Sequence, residues 1–250
     1  MTKLTKILNL LWYIIPVLMV SAGNIVSKSQ KVSKVTINIS GSDNNRFVEE
    51  AQLLDDIESH LGYPLSGGKL IHKDLSRIEK RLKNNKFVYQ AQVVSDHKGR
   101  VLIDVQQECP VARIITKDSS YYLTQTGKLM PMSHNYSSRV TVILGNKINE
   151  ILRSDSLSDK VRRKEFLDFM NYIYNNPFLK AQVETIEVLE NEKIVIYPQI
   201  THQKIHFGKC EDYVDKFEKV RLFYSQILPR KGWAAYSSVN VEYKNQIICE

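Results

Sequence analysis

The sequence predicts an α+β protein in three parts: a single N-terminal transmembrane helix, a small unit of order strand-helix-helix-strand-strand, and a mostly antiparallel β unit backed by helices. Three observations predict it. Residues 7–25 carry no charged side chain. Residues 35–105 then show the apolar spacing of a strand, two helices and two strands. After Pro110, short alternating runs between polar turns dominate the chain.

The uncharged run at residues 7–25 is long enough to cross a bilayer. Its length corresponds to about 28 Å of helix, close to the roughly 30 Å hydrocarbon core. Lys3 and Lys6 precede it and three lysines follow it, so the flanking charges do not fix the orientation. Residues 20–22 (VSA) also resemble a signal-peptide cleavage site. A cleaved leader therefore stays open beside an uncleaved anchor, and both place the remaining chain outside the cytoplasm.

The first folded unit begins with a strand and two helices. Residues 35–40 (VTINIS) alternate between apolar and polar side chains, as a half-buried strand does. Apolar residues recur at steps of three and four over residues 47–61 and again over residues 75–82. Asp74 precedes the second stripe and is the predicted N-cap. Both segments are predicted to be amphipathic helices that cover one face of a short sheet.

A hairpin completes this unit. Residues 88–94 and 101–105 alternate as strands do, and they flank a polar turn at residues 96–99 that ends in glycine. Pro110 follows, and it has no N–H group to donate to a ladder. Strand pairing is therefore expected to stop or to change partner at this proline.

The second folded unit is predicted from short strands and two helical stripes. The strand candidates are residues 112–116, 121–124, 129–132, 140–144, 183–189, 193–200 and 239–243. The stripes cover residues 166–173 and 213–228. Ser156 is placed to cap the first helix, and Pro229 and Gly232 are expected to end the second.

Composition favours no catalytic or metal-dependent class. The net charge of +8 is moderate, and the basic residues are spread along the chain, which indicates a solvated surface. Cys109, Cys210 and Cys249 are widely spaced, which excludes a dense disulfide framework and a CxxC motif but leaves one bridge open. His202, His206 and Cys210 are spaced by four, but this segment looks extended, and strand positions four apart stand roughly 13 Å apart, too far to bind one zinc ion.

No motif predicts a catalytic residue, a metal ligand or a cofactor. Residues 62–70 (GYPLSGGKL) depart from the phosphate-loop pattern, since a glycine separates the second loop glycine from the lysine and a leucine follows it. This segment is predicted to be a turn. GxSxG, HExxH and SxxK motifs do not occur in the sequence. An active site assembled from residues distant in the sequence stays open, although nothing in the sequence argues for one, and we expect no nucleic-acid partner and no small-molecule substrate.

Seven segments, in this order and spacing, resemble the FtsQ/DivIB family of bacterial cell-division proteins. They are GYPLSG (62–67), RIEKRLKNNKFVYQAQV (77–93), GRVLIDVQQECPVARI (99–114), YYLTQTGKLMPM (121–132), RVTVILGN (139–146), HFGKC (206–210) and VNVEYKNQIIC (239–249). One departure is Thr124-Gln125, where the family often has an aspartate after the paired tyrosines.

This resemblance implies a cytoplasmic stub with an uncleaved transmembrane helix (1–27), a linker (28–34), a POTRA domain (35–108) and an FtsQ-type β-domain (109–250). It implies a non-enzymatic scaffold in the inner membrane at the division septum, with most of the chain periplasmic. The implied partners are FtsB- and FtsL-like proteins and the septal synthesis proteins FtsW and FtsI. The alternatives left open are another POTRA-type transport or assembly scaffold, and a secreted cell-wall-binding protein or enzyme.

The resemblance also implies a binding site at a C-terminal edge strand within residues 236–249, where an FtsB-like strand would pair. The predicted partner-binding residues are Trp233, Tyr236, Val239, Asn240, Val241, Glu242 and Tyr243. Trp233 and Tyr236 are the expected aromatic anchors. Within the strand, two valines and Tyr243 are predicted on the core face, so that the backbone itself would carry the pairing.

Overall fold

The computed structural model describes residues 30–41, 45–145, 147–153 and 156–250. These form two compact units, the first from residues 30–40 and 48–107 and the second from residues 41, 45–47 and 108–250. The predicted transmembrane helix falls in residues 1–29, outside the described residues. Among the helices that are described, none combines the length and the apolar character needed to cross a membrane.

The first unit contains the predicted strand-helix-helix-strand-strand order and two short strands that were not predicted, one at Gln30–Lys31 within the predicted linker and one at Lys69–Leu70 between the helices. Its strands are β1 (Gln30–Lys31), β2 (Lys34–Ser40), β3 (Lys69–Leu70), β4 (Val88–Ser95) and β5 (Arg100–Gln107), and its helices are α1 (Glu50–Leu61) and α2 (His72–Lys83). The sheet order is β2-β5-β4, with β2 parallel and β4 antiparallel to β5, while β1 and β3 pair separately. Residues 62–68 of the phosphate-loop-like segment form the predicted turn after α1, but its last two residues form β3.

Two local predictions in this unit need correction. The helix α2 begins at His72, so Asp74 is its third residue and not its N-cap. The Asp74 carboxylate instead accepts a hydrogen bond from the N–H of Ile71 (3.2 Å), as the third residue of a capping box does. Phe47 precedes α1 and belongs to the second unit, where its ring packs edge-on against Tyr122 and Tyr136.

The second unit contains a nine-stranded sheet. Its strands are β6 (Pro110–Ile115), β7 (Ser120–Thr124), β8 (Leu129–Pro131), β9 (Thr141–Leu144), β10 (Val183–Val188), β11 (Ile194–Pro198), β12 (Lys204–Gly208), β13 (Ser238–Asn240) and β14 (Ile248–Cys249). Their order in the sheet is β14-β13-β12-β11-β10-β9-β6-β7-β8. Five of the eight pairings are antiparallel, in line with the prediction.

Helical segments accompany this sheet: α3 (Lys147–Arg153), α4 (Leu157–Asn175), α5 (Pro177–Gln182), α6 (Tyr213–Leu222) and α7 (Leu228–Lys231), with a π-helical turn (Phe223–Ile227) between the last two. Ser156 caps α4 as predicted, since its Oγ accepts the N–H of Asp159 at 3.1 Å. Pro229 does not end the last helix. It lies in the first turn of α7, directly after the π-helical turn, and the helical run continues through it to Lys231.

Helices pack on one face of the large sheet and enclose an aromatic core. The ring of Phe169 on α4 lies 5.4 Å from that of Phe207 on β12 and 5.7 Å from that of Phe217 on α6. Val239 and Val241 are fully buried and belong to the same cluster. Burying each such side chain contributes about 1.5–3 kcal/mol, so this cluster anchors the β13 end of the sheet.

The predicted closing strand at residues 239–243 is wrong in its extent. The strand β13 stops at Asn240, whose Oδ1 accepts the N–H of Glu242 at 2.9 Å and so starts a turn. The chain reverses through Asn245, which has a φ of 57°, and returns as β14 along β13. Alternation alone could not reveal this turn, because a local side-chain hydrogen bond ends the strand.

Candidate protein-binding edge of the second unit

The outermost strands of the large sheet are β14 and β8. They differ in what they offer to another chain. The strand β8 contains Pro131, which has no N–H, and proline is a common device that blocks an edge. The strand β14 contains no proline. Its outer side is therefore the stronger candidate for pairing with a partner strand.

Hydrogen bonding shows which groups of β14 face outward. The N–H of Ser238 donates to the Glu250 carbonyl at 2.9 Å, and the N–H of Glu250 donates to the Ser238 carbonyl at 3.0 Å. In an antiparallel ladder, a hydrogen-bonded residue pair such as Ser238–Glu250 alternates with a pair whose N–H and C=O groups point away from each other. The next pair along the ladder is Val239 with Cys249. The N–H and C=O of Cys249 therefore point away from β13, toward the open edge.

The turn between β13 and β14 is held by the protein around it. Lys219 on α6 donates to the carbonyl of Val241 and to the carbonyl of Tyr243 (2.6 Å). Burial lowers the pKa of the Lys219 ammonium, which indicates partial removal from water. Lys193 forms an ion pair with Glu242 at 2.9 Å, and this hydrogen bond together with the opposite charge raises the pKa of Lys193.

A glycine in β12 makes room for this ion pair. Gly208 has a φ of 74°, and a Cβ built on it would lie 2.6 Å from the Cγ of Glu242. Only glycine allows the Glu242 side chain to lie this close while the backbone stays left-handed. The turn is thus fixed by contacts from α6, from Lys193 and from β12.

The structure separates the predicted binding residues into buried and exposed groups. Val239 and Val241 are fully buried on the core face, as predicted. Tyr243 was predicted on the same face, but the turn carries it out of the sheet and leaves it 51% exposed. Asn240 pairs with both neighbouring strands, and the Glu242 N–H bonds to the Asn240 side chain. Neither residue therefore presents an edge amide.

The two aromatic residues predicted as anchors lie beyond the end of α7. Gly232 ends that helix with a φ of 103°, and its N–H donates to the Leu228 carbonyl at 2.8 Å. Trp233 is 55% exposed as a residue, and its ring lies 6.5 Å from the Tyr224 ring. Tyr236 is half-buried, with its ring 6.2 Å from that of Phe223. Exposed tryptophan on a fixed backbone is typical of protein-binding surfaces.

The sequence-based prediction missed several residues of this region. Ile248 and Cys249 form the edge strand, while Ile200 and Gln203 lie beside Trp233. A signal for β14 was present: Lys244-Asn245 is a polar pair with a residue that tolerates positive φ, and the apolar run Ile247–Cys249 follows it. Nothing in the sequence pattern brings Ile200 and Gln203 next to Trp233.

The candidate chemistry of the cysteine and histidine residues is limited. Cys109, Cys210 and Cys249 are free thiols. Burial raises the pKa of Cys210 to about 12 and also raises the pKa of Cys249, so neither thiol is activated as a nucleophile. Within the described ranges, no group of three or more His, Cys, Asp or Glu side chains is placed to hold a metal ion.

Comparisons with known proteins agree with the two-unit division. A model of the family described as "FtsQ/DivIB, C-terminal related" matches residues 109–250, and a POTRA-like domain model matches residues 30–106. One solved structure, "POTRA1-2 of the periplasmic domain of Omp85 from Anabaena", is 13% identical and covers 68% of this chain and 95% of its own, with a TM-score of 0.27. A likeness at that level supports no conclusion. The search of curated proteins finds no match.

Proposed function

The chain belongs to the FtsQ/DivIB C-terminal related family and carries a POTRA-like domain, and from this premise we propose that it is a non-enzymatic scaffold of the bacterial cell-division complex. The scaffold acts through protein contacts and makes or breaks no covalent bond. Its partners are FtsB- and FtsL-like proteins, through which it regulates the septal peptidoglycan synthesis carried out by FtsW and FtsI.

A membrane anchor is part of this proposal. The uncharged run at residues 7–25 would hold the protein in the inner membrane as a single-pass helix, with the two folded units in the periplasm at the septum. This arrangement fits the family and the length of the run. It would place the edge strand in the same compartment as the periplasmic parts of the partners.

The open edge of β14 is the observation that carries the proposed contact. An extended segment of the FtsB-like partner would pair there, with its main chain bonded to the outward N–H and C=O of Cys249. This proposed pairing site lies in β14, within the expected range 236–249 but outside the individually predicted residues 239–243. Side chains that flank the edge, including Tyr243 and Ile248, would add selectivity because both are exposed.

A proline at position 249 tests the edge directly. The Cys249→Pro variant removes the outward N–H and leaves the Ser238–Glu250 hydrogen bonds in place, because those involve inward groups. We expect the full-length variant to bind the FtsB-like partner about tenfold more weakly, which corresponds to a loss of roughly 1.4 kcal/mol of binding free energy. Isothermal titration calorimetry in detergent measures this, with circular dichroism as the check on folding.

The Cys249→Ala variant is the matched control, since it loses the thiol but keeps the N–H. It is expected to bind as the wild type does. If the folded proline variant also binds normally, the partner does not pair with the β14 edge. If the wild-type chain does not bind the FtsB-like protein at all, the proposed partner is wrong.

A POTRA-type assembly scaffold is the second candidate, supported by the POTRA-like match over residues 30–106. The two functions differ in where the protein accumulates in the cell. A fluorescent fusion of the full chain should concentrate at midcell in dividing cells if it is a division scaffold. Uniform envelope fluorescence through the cell cycle would favour the assembly function.

A further inference from the structure

A cleft beside the end of β14 is lined by two large exposed apolar side chains, Ile200 and Trp233, and by a buried polar side chain whose oxygen has no hydrogen-bond partner among the described residues. Its volume is about 700 Å³, within the roughly 300–1,000 Å³ range of binding clefts. The cleft, called the Trp233 cleft below, is lined by Ile200, His202, Gln203, Trp233, Tyr236 and Glu250, among others.

The apolar side of the Trp233 cleft is large and exposed. Ile200 is 73% exposed and Trp233 is 55% exposed. The aromatic row continues from Trp233 to Tyr224 and on to Phe178, with neighbouring ring centroids 6.5 Å apart. The same two residues, Ile200 and Trp233, also line a smaller pocket of about 320 Å³ on the Phe178 side. Tyr224 is itself buried, so the exposed apolar side chains of this region are Ile200, Trp233 and Phe178, and exposed apolar groups that lie together mark interaction sites.

The backbone under the Trp233 ring is fixed although the ring itself is exposed. The Trp233 carbonyl accepts a hydrogen bond from Gln203 Nε2 at 2.6 Å, and the N–H of Ala235 donates to the Gly232 carbonyl at 3.2 Å. A ring held on an ordered backbone loses little conformational freedom when a partner covers it. This is the arrangement of a preorganised anchor site.

Gln203 is the polar residue of the Trp233 cleft that lacks a full set of hydrogen bonds. Its side chain is buried, with 2% of the residue exposed, and its Oε1 has no hydrogen-bond partner among the described residues. An amide oxygen is an acceptor and is satisfied by an N–H or O–H donor. Because Oε1 is itself buried, the Gln203 side chain must turn toward the cleft before a main-chain N–H of an extended peptide can reach it, and an aliphatic lipid chain carries no such donor.

The Trp233 cleft is continuous with the proposed pairing edge. Glu250 lines the cleft and directly follows Cys249, whose outward groups form the edge. A strand rises about 3.3 Å per residue, so a segment that pairs with Cys249 reaches the cleft within a few residues. Because both features lie on one path, a single extended segment can occupy both.

We propose that the Trp233 cleft receives a large apolar side chain, aromatic or long aliphatic, carried by the same partner segment that pairs with β14, and that a donor of this segment satisfies Gln203 Oε1. This inference rests on the proposed function, because it assumes that a partner strand occupies the edge. It adds a specificity requirement that edge pairing lacks: the partner needs an apolar anchor residue next to its paired residues.

Tryptophan fluorescence reports on the cleft directly, since the chain has two tryptophans, Trp12 and Trp233. In the full-length Trp12→Phe background, Trp233 is the remaining emitter. We expect the FtsB-like partner to shift its emission to shorter wavelength and to reduce its quenching by acrylamide. A shift that appears on raising the concentration of the chain alone would assign the cleft to a second copy and overturn the proposal.

Two matched variants measure the contribution of the cleft to binding. Ile200→Ala should weaken binding about tenfold, while Leu157→Ala, at an 80% exposed site at the start of α4, should leave it unchanged. Both sites are exposed, so neither variant should unfold the chain.

The outcomes separate this inference from the proposed edge pairing. If Cys249→Pro weakens binding but Ile200→Ala does not and Trp233 emission stays unchanged, the edge stands and the cleft proposal is overturned. If Trp233 emission shifts and Ile200→Ala weakens binding, but Cys249→Pro binds normally, a partner occupies the cleft without pairing with the edge. That result would overturn the single continuous segment proposed above.

Discussion

Lys219 connects helix α6 to the turn that presents the edge. Its ammonium group bonds to the carbonyls of Val241 and Tyr243, two groups that lie outside the strand ladder. A carbonyl that is removed from water without a partner costs about 1–3 kcal/mol. One lysine therefore stabilises the return of the chain toward β14, although sequence reasoning assigned it no role.

We expect Lys219→Met to loosen this turn and leave the rest of the second unit intact. The methionine keeps most of the side-chain volume but cannot donate hydrogen bonds, so the local free energy of opening should fall by about 1–3 kcal/mol. Hydrogen exchange followed by mass spectrometry should show faster exchange over residues 238–250. Lys244→Met, at an exposed position of the same turn, is the control and should show no such change.

At the scale of elements, the β12 backbone and the terminal turn depend on each other through Gly208. A side chain at this position would meet Glu242, and its backbone would also have to adopt a positive φ. The positive φ alone costs about 1–2 kcal/mol for a non-glycine residue. Both costs are local to β12 and to the turn that it supports.

We expect Gly208→Ala to destabilise the protein by more than the cost of positive φ alone. Gly62→Ala isolates that cost, because Gly62 has a φ of 80° and an added Cβ would have no neighbour within 4 Å. Combining Gly208→Ala with Glu242→Ala should recover part of the loss, since the Cγ and Cδ atoms that clash are then absent. Urea unfolding of the wild type and these three variants tests this. Equal losses in the free energy of unfolding for Gly208→Ala and Gly62→Ala would contradict it.

Strong periodicity made most elements predictable, and side-chain chemistry decided where prediction failed. The hairpin β4–β5 and helix α4 follow from alternation and from the Ser156 cap, and both are present. The end of β13 depends on a hydrogen bond from the Glu242 N–H to the Asn240 side chain, which alternation does not encode. The predicted strand at residues 239–243 was consequently extended past Asn240 into this turn.

At the scale of the whole molecule, the sequence order of the elements predicted two units but not where residues 45–47 belong. These residues lie between β2 and α1 of the first unit, yet they pack within the second. The Ser138 hydroxyl donates to Asn45 Oδ1 at 3.2 Å, and the Phe47 ring lies 5.0 Å from that of Tyr136. Long-range contacts of this kind leave no periodic trace, so Phe47 resembled the first residue of a helical stripe.

We expect Phe47→Ala to destabilise the second unit and to leave the first unit unchanged. Phe47 is almost fully buried between Tyr122 and Tyr136, and truncating such a residue costs about 3–5 kcal/mol. Hydrogen exchange on the full chain should show loss of protection in β7 while β5 keeps its own. Leu53→Ala, at a buried site of α1, should give the reverse pattern. Loss of protection in β5 after Phe47→Ala would instead assign this segment to the first unit.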